Sequence, residues 1–224
     1  MQKQNEKPEV GQEINDFIQK HRKPILITAG ALVLLLIASI AAFSLMDFLH
    51  GRAISKVEDF GSRYESLRFL INEEYMEYDV SQLLEELESF AKKNSGYAGG
   101  KAWSLIAGIH ADKKEWAQAE TAWVEAAGKS AKNYLAPVAW FNAGIAAEEQ
   151  GKAEEAIEYL SKSISAPAGF SSAPRAQFSI GRLRETLDDR DAAIAAYRAV
   201  ISGWPYDNVW TSLAHSRIIT LEME

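Results

Sequence analysis

One uncharged stretch, residues 25–46 (ILITAGALVLLLIASIAAFSLM), constrains this chain more than any other feature. As a helix it would be about 33 Å long, enough to cross the hydrocarbon core of a bilayer. A buried helix of a soluble domain is the alternative, but such a helix would carry a polar stripe. The most polar residues here are Thr28, Ser39 and Ser44. The stretch therefore predicts a transmembrane helix.

Charge and cysteine content exclude several classes of function. The 224-residue chain has no cysteine, which excludes disulfides, thiolate metal sites and an acylated lipoprotein anchor. Its net charge is −7, from 24 Lys and Arg and 31 Asp and Glu. Residues 1–24 hold five of the basic and four of the acidic residues, so the rest of the chain carries −8. An acidic main domain argues against nucleic-acid binding.

Residues 1–24 are predicted to form a cytoplasmic tail, disordered over residues 1–12 and helical over residues 13–23. The helix would be amphipathic, with Ile14, Phe17 and Ile18 on a face that suits the lipid headgroup region. Basic residues crowd the start of the membrane helix, and they favour an N-terminus in the cytoplasm and a main domain outside. These residues are Lys20, Arg22 and Lys23.

A cleaved signal peptide is the alternative to a retained anchor. Ser39-Ile40-Ala41 satisfies the small-residue rule for a cleavage site. However, the apolar run is longer than the usual run of about 7–15 residues, and the tail before it contains four acidic residues. These two features favour a retained signal anchor.

Two helices are predicted after the membrane stretch, over residues 54–75 and 80–93. Large apolar residues recur in both at spacings of three and four, which indicates one buried face on each. They are Val57, Phe60, Tyr64, Leu67 and Ile71 in the first helix and Leu83, Leu84, Leu87 and Phe90 in the second. Asp79 or Ser81 is expected to cap the second helix, and Asn94-Ser95-Gly96 to end it, with Gly99-Gly100 continuing the break.

From residue 100 the sequence repeats with a period of 37. Ala119, Ala156 and Ala193 lie 37 residues apart, and so do the small residues Ala107, Gly144 and Gly181. Small residues let two helices approach closely where they cross, and no such unit can bury its apolar face alone, so the units are expected to stack. The predicted helix pairs are 101–112 with 115–128, 138–150 with 152–165, and 175–187 with 189–202.

The two ends of this stack are also predictable. Residues 53–99 are predicted to form a helical pair that is a degenerate copy of the repeat. Residues 208–224 are predicted to form a capping helix with charged residues facing water. The side chains expected to cover the open end of the stack are Trp210, Leu213, Ile218 and Leu221.

The repeats resemble the tetratricopeptide repeat, whose consensus has a large residue, a small residue, then Ala, an aromatic and a small residue, then Pro. The matching residues are Trp103, Ala107, Ala119, Trp123 and Ala126, then Trp140, Gly144, Gly151, Ala156, Leu160 and Ser163, then Gly181, Ala193, Tyr197 and Pro205. The period is 37 rather than 34, and the extra residues are expected in loops at 130–135 and 167–172. The resemblance implies three tetratricopeptide-like repeats over residues 100–207. The predicted fold class is all-α: a single N-terminal transmembrane helix followed by a tetratricopeptide-repeat α-solenoid.

The whole layout also resembles the bacterial YfgM-like ancillary SecYEG translocon subunits. The matching stretches are EINDFIQKHRKPILITAG, SGYAGGKAWSLIAGIHADKKEWAQAE and SLAHSRIITLEME. The resemblance implies a single-pass protein of the bacterial inner membrane whose periplasmic repeat domain binds translocon subunits and periplasmic chaperones. A scaffold of another cell-envelope complex, in cell-wall synthesis or division, is the alternative.

No constellation of reactive residues is visible in the sequence. It contains no HExxH, no GxSxG and no EF-hand spacing, and its four histidines lie far apart. Gly99-Gly100-Lys101 lacks the upstream glycine and the following Ser or Thr of a phosphate-binding loop. We therefore expect a protein-binding adaptor and not an enzyme, with no cofactor, metal, small-molecule substrate or nucleic acid.

Protein binding is expected on the first helix of each repeat. Phe141 and Phe178 lie 37 residues apart and are predicted to form the apolar floor of a groove, with Arg175 and Arg182 at its rim. The other candidate groove residues are Lys101, Asn142 and Ile145, with Ser104, Gly108, Glu148 and Glu185 beside them. The alternative is that this face packs against the terminal helix or against the helix pair of residues 54–93. The tetratricopeptide clamp for C-terminal carboxylates is not expected, because Ser104, Phe141 and Gly108 stand where that clamp needs Lys and Asn.

Overall fold

The computed structural model describes residues 10–68, 73–167 and 169–223, and over these ranges the chain is helical with no strand. This confirms the predicted all-α class. The chain divides into two compact units, one up to Arg52 and one from Ala53 onward, and each is described by itself. The helices are α1 (Val10–Arg68), α2 (Glu73–Lys93), α3 (Gly96–Asp112), α4 (Trp116–Lys129), α5 (Leu135–Glu149), α6 (Ala153–Ile164), α7 (Ala173–Thr186), α8 (Arg190–Gly203) and α9 (Asn208–Met223).

The first unit is the part of α1 that contains the apolar stretch. Every residue of 25–46 is exposed, and Leu32, for example, keeps 67% of its surface accessible. No protein surface covers this stretch in the described part of the unit, whereas the core helix considered as an alternative would be mostly buried. A helix this long and apolar is a candidate membrane span.

A kink in α1 separates the tail helix from the apolar stretch. His21 has non-helical backbone angles (φ −110°, ψ 15°), three residues before Pro24. Proline has no backbone N–H, and its ring conflicts with the carbonyl four residues earlier, so it disrupts the preceding turn. The helix already includes residues 10–12, which were predicted to be disordered, whereas residues 1–9 lie outside the described ranges.

The second unit begins with the last turns of α1 and with α2. The predicted apolar faces of both helices are buried together with α3, with Val57, Leu83 and Leu87 fully inaccessible. The predicted helix bounds were wrong, because α1 is described to Arg68 and α2 already begins at Glu73. The predicted buried position of Ile71 lies outside the described residues.

The predicted cap of the second helix is also wrong. Asp79 and Ser81 both lie inside α2 rather than at its start. The Ser81 hydroxyl donates to the carbonyl of Glu77, one turn earlier in the same helix, at 2.9 Å. A serine can satisfy its hydroxyl in this way without interrupting a helix.

Gly99 and Gly100 do not continue the break after α2, as the sequence suggested, but lie inside α3. A Cβ atom on Gly99 would lie 2.4 Å from the carbonyl oxygen of Asn94, and one on Gly100 would lie 2.7 Å from the Ser130 hydroxyl. These glycines therefore serve close packing. The chain turns instead at Gly96, whose φ of +63° favours glycine.

The helices α3 to α8 form three consecutive pairs at the predicted places, and α3 begins five residues earlier than predicted. The small residues lie where the helices of a pair cross. A Cβ atom on Gly144 would lie 2.9 Å from Leu160, and one on Gly181 would lie 2.6 Å from the Tyr197 ring. The prediction that small residues permit close approach within a unit is thus confirmed at both glycines.

The last helix, α9, packs against α8 and α7. Trp210, Ile218 and Leu221 contact the stack as predicted. Leu213 does not, since it is 44% exposed, and Ala214 is buried in its place. As expected, a charged residue of α9, Glu222, faces water, but large apolar side chains of the same helix are exposed as well.

Candidate protein-binding face

The predicted groove residues lie on three helices that occupy equivalent places in successive pairs. Lys101 is on α3, while Phe141, Asn142 and Ile145 are on α5, and the remaining three are on α7. Arg175 and Arg182 are exposed, whereas Lys101, Asn142, Ile145 and Phe178 are half-buried. Polar and charged groups therefore make up most of what a partner would meet.

One local patch brings together three of these residues. Phe141 is buried, with its ring centroid 5.4 Å from that of Phe170 in the loop before α7. The Arg175 guanidinium lies over the Phe141 ring at 5.1 Å, and Ile145 packs against the same cluster. A cation over an aromatic face is stabilising. Phe141 therefore acts as core, and Arg175 is the part of this patch that a partner can reach.

Phe178 lies in a different cluster. Its ring centroid is 5.1 Å from that of Tyr197 and 5.4 Å from that of Trp210 on α9. The predicted common apolar floor of Phe141 and Phe178 is therefore not formed, because each ring packs into a separate core cluster. At Phe178 the structure matches the alternative, because Trp210 of the terminal helix packs against this ring. Whether the seven residues bind a partner stays a prediction.

Arg182 connects the second repeat to the third. Its guanidinium makes two bonds to the Glu148 carboxylate, with Nη1–Oε1 at 2.6 Å and Nη2–Oε2 at 2.7 Å. The hydrogen bond to Glu148 raises the pKa of Arg182 above its ordinary value. This two-point geometry orients both side chains on the surface. A neighbouring pair, Arg184 and Glu154, spans the same junction at 3.0 Å.

A buried carboxylate that sequence analysis missed joins the first repeat to the second. The Glu120 side chain is only 11% exposed. It accepts hydrogen bonds from Gln150 at 2.7 Å, from Lys152 at 2.9 Å and from Tyr159 at 3.1 Å. Burial acts to raise the pKa of Glu120, but the hydrogen bonds from Lys152, Gln150 and Tyr159 outweigh it and hold the pKa below its ordinary value.

A second carboxylate, that of the half-buried Glu185, joins the third repeat to α9. It accepts hydrogen bonds from the Tyr197 hydroxyl and from the Arg217 guanidinium, with the Nε–Oε1 distance at 3.1 Å. Burial acts to raise the pKa of Glu185. The hydrogen bonds from Arg217 and Tyr197 outweigh burial, so the pKa of Glu185 lies below its ordinary value. Glu185 was considered as a groove residue, but its carboxylate is used within the stack.

Comparison with known proteins agrees with this architecture. Tetratricopeptide repeat family models match residues 129–170 and 174–202. A TPR repeat-containing protein of Treponema pallidum (strain Nichols) is 30% identical over 225 residues, spanning 94% of this chain and 93% of the relative. The chain belongs to the tetratricopeptide repeat family. Its repeats place it among proteins whose stacked helices mediate protein–protein interactions and which are in general non-enzymatic scaffolds.

Solved structures share the fold of this tetratricopeptide repeat protein. A kinesin light chain of Podosopora anserina with nearly identical TPR-like repeats has a TM-score of 0.53 at 11% identity, covering 75% of this chain and 87% of that one. A variant of the same protein gives the same TM-score and covers 86% of its own chain. At 11% identity this likeness shows a shared arrangement of the helices, that is, the fold alone.

Proposed function

We propose that this protein is a membrane-anchored adaptor whose tetratricopeptide repeats hold protein partners at the surface of the bacterial inner membrane. One observation carries the proposal: the same chain contains a fully uncovered apolar helix and a helix stack of the repeat family. A water-soluble protein does not keep so long an apolar surface in contact with water. The proposed divisions are 1–24 as tail, 25–46 as anchor, 53–99 as degenerate repeat, 100–207 as repeats and 208–224 as cap.

The charge distribution supports an orientation with the tail in the cytoplasm and the repeats in the periplasm. Lys20, Arg22 and Lys23 directly precede the apolar stretch and are all exposed. Basic residues flanking a membrane helix favour retention on the cytoplasmic side. The repeat unit that follows is acidic, and long segments are translocated with little regard to charge.

The finer proposal is an ancillary role at the Sec translocon, linking it to periplasmic chaperones. It rests on the resemblance to the YfgM-like subunits, and the match of the relative over 94% of the chain supports a layout that is shared along the whole sequence. The proposed contact face is the exposed part of the first helices, with Lys101, Asn142, Arg175 and Arg182 at its surface and Ile145 and Phe178 behind it. Such a polar face suits an extended peptide or a partner helix that carries its own charges.

Photo-crosslinking from the proposed face tests this function. A photoreactive amino acid replaces Asn142, half-buried on α5, and in the matched control it replaces Ser161, exposed on the second helix of the same repeat. Both variants are expressed in full-length form in bacterial cells and irradiated in intact membranes. The expected result is a crosslink from position 142, but not from position 161, to a translocon subunit or to a periplasmic chaperone.

The products distinguish the hypotheses. Crosslinks from position 142 to cell-wall synthesis or division proteins would favour the scaffold alternative over the translocon. Equal patterns from the two positions, or none from position 142, would contradict binding through the first helices.

A further inference from the structure

The first and second repeats differ in how they surround an equivalent tryptophan. Trp103 on α3 and Trp140 on α5 lie 37 residues apart, each four residues before the small residue at its helix crossing. In the second repeat the Tyr159 ring of α6 stacks on Trp140, with ring centroids 5.7 Å apart and an interplanar angle of 19°. The Lys162 ammonium lies 4.8 Å from the centroid of the same indole. Trp140 thus receives both a ring and a cation from its own repeat.

Tyr159 also joins two neighbouring second helices. Helix α5 packs against both α4 and α6. The Tyr159 hydroxyl, on α6, donates to the Glu120 carboxylate of α4 at 3.1 Å. The phenol therefore reaches from α6 to the preceding second helix, with its ring on Trp140 and its hydroxyl on a carboxylate.

The corresponding residue of the first repeat is too small to make these contacts. Ala122 stands 37 residues before Tyr159, and Glu125 stands where the second repeat has Lys162. An open cleft of about 400 Å³ lies at this place, between α2 and α4 and over α3. The lining includes Glu88 and Lys92 of α2, Trp103 and Ile106 of α3, and Thr121 and Ala122 of α4.

The indole of Trp103 is also incompletely hydrogen bonded. Within the described residues its N–H is buried and has no acceptor. A buried donor without a partner costs free energy, and most such groups in folded proteins are paired. A ligand that turns this ring toward an acceptor therefore lowers the free energy of the site.

We propose that this cleft binds a tyrosine side chain of a partner protein, in the place that Tyr159 takes in the second repeat. The phenol ring lies on Trp103, with the buried Ile106 beside it. Glu88 lines the cleft from the preceding second helix, as Glu120 does for Tyr159, and its carboxylate accepts the hydroxyl proton in a hydrogen bond. The site goes beyond the proposed contact face on the first helices and does not rest on the membrane anchor.

The charges at the cleft favour a neutral ring with a polar tip over other side chains. Glu88 and Lys92 form an ion pair at 2.8 Å in the cleft wall. An acidic side chain would meet the carboxylate, and a basic one would meet the ammonium, so each would face a like charge. An aliphatic side chain offers neither a flat face for the indole nor a donor for Glu88. Tyrosine meets both requirements.

N-acetyltyrosinamide is the probe, because it presents this side chain without a protein around it. The full chain is labelled with ¹⁵N and kept in detergent, and the Trp103 indole N–H signal is followed by NMR after assignment by its loss in Trp103→Phe. The signal should shift saturably with a midpoint of about 1–10 mM, as expected for a ligand of this size. N-acetylleucinamide, which lacks the ring, should leave it in place.

Two substitutions test the location. Ala122→Tyr supplies the phenol from the chain itself, as residue 159 does, and Thr121→Phe narrows the cleft from an exposed position. Each should weaken binding of the probe about tenfold or more. Glu158→Phe is the matched control, because Glu158 is exposed at the same register position of the second repeat, and it should leave binding unchanged.

Three results would overturn the proposal: no saturable shift with the tyrosine probe, an equal shift with the leucine probe, or binding that Thr121→Phe does not weaken. Circular dichroism shows whether each variant keeps its helical content. Thr121 is exposed, so its variant remains informative even if the buried position 122 does not accept a larger side chain. The readout uses the purified chain alone, so its failure is distinguishable from failure of the crosslinking at position 142.

Discussion

Replacing Gly181 with alanine is expected to lower the free energy of unfolding of the repeat unit by about 2–3 kcal/mol. The added Cβ atom would lie 2.6 to 2.8 Å from three atoms of the Tyr197 ring, and Tyr197 is fully buried. The ring is held in place, because its hydroxyl bonds Glu185 and the tilted ring of Phe178 packs against it. The two helices of the third repeat must separate instead.

Gly108→Ala is the matched control for this prediction. Gly108 lies inside α3, and no atom approaches within 4 Å of the position where its Cβ would be. Alanine has the higher helix propensity, so this variant should gain up to about 1 kcal/mol. Urea unfolding of the full chain in detergent, followed by tryptophan fluorescence, measures both variants, since all six tryptophans lie in the repeat unit. A shift of the same sign for both would contradict the role assigned to the crossing glycines.

Replacing Glu120 with alanine is expected to cost about 2 kcal/mol of stability at pH 7. The substitution removes a charged acceptor of three hydrogen bonds, each of which typically contributes about 1.5–3 kcal/mol. The cost is less than their sum, because the Lys152 side chain is 40% exposed and can return to water. Glu125→Ala on the exposed face of the same helix should change stability by less than about 0.5 kcal/mol.

The contribution of Glu120 should also depend on pH. Its pKa is lower in the folded state than in the unfolded chain, so the unfolded state binds more protons and stability rises with pH. The contribution is complete above the unfolded pKa of about 4.3 and is lost as the pH falls through the lower folded value. Glu120→Gln should therefore lose less stability than the parent between pH 6 and pH 3, as followed by urea unfolding. An unchanged difference would show that Glu120 does not titrate as inferred.

The architecture was predictable where a physical pattern repeats. The interval of 37 residues located all six helices of the repeats, because alanine and glycine recur at each crossing, and the uncharged stretch 25–46 identified the candidate span. Helix ends were less predictable, since Gly99 and Gly100 are as suited to a turn as to close packing. The folded structure distinguishes a turn from close packing, because Asn94 lies directly beside Gly99 and Ser130 lies directly beside Gly100.

The candidate face was less predictable, because side-chain partners depend on packing. Phe141 and Phe178 hold equivalent sequence positions, but the loop residue Phe170 covers the first and the α9 residue Trp210 contacts the second. Glu120 had a recognisable signal, since its counterparts in the next two repeats are Ile157 and Ile194. A charged residue at a position that is otherwise isoleucine indicates a buried polar contact.

The central claim is that the apolar helix holds the repeat stack outside the membrane, and thiol labelling tests it most directly in this cysteine-free chain. Single cysteines replace Ser161 in the repeat unit or Gln19 in the tail helix, both exposed. Bacterial cells with a permeabilised outer envelope and an intact inner membrane are treated with a membrane-impermeant maleimide. The account predicts labelling of Ser161→Cys in these cells and of Gln19→Cys only after the inner membrane is opened. Labelling of Gln19→Cys first, or of both positions at the same stage, would contradict it.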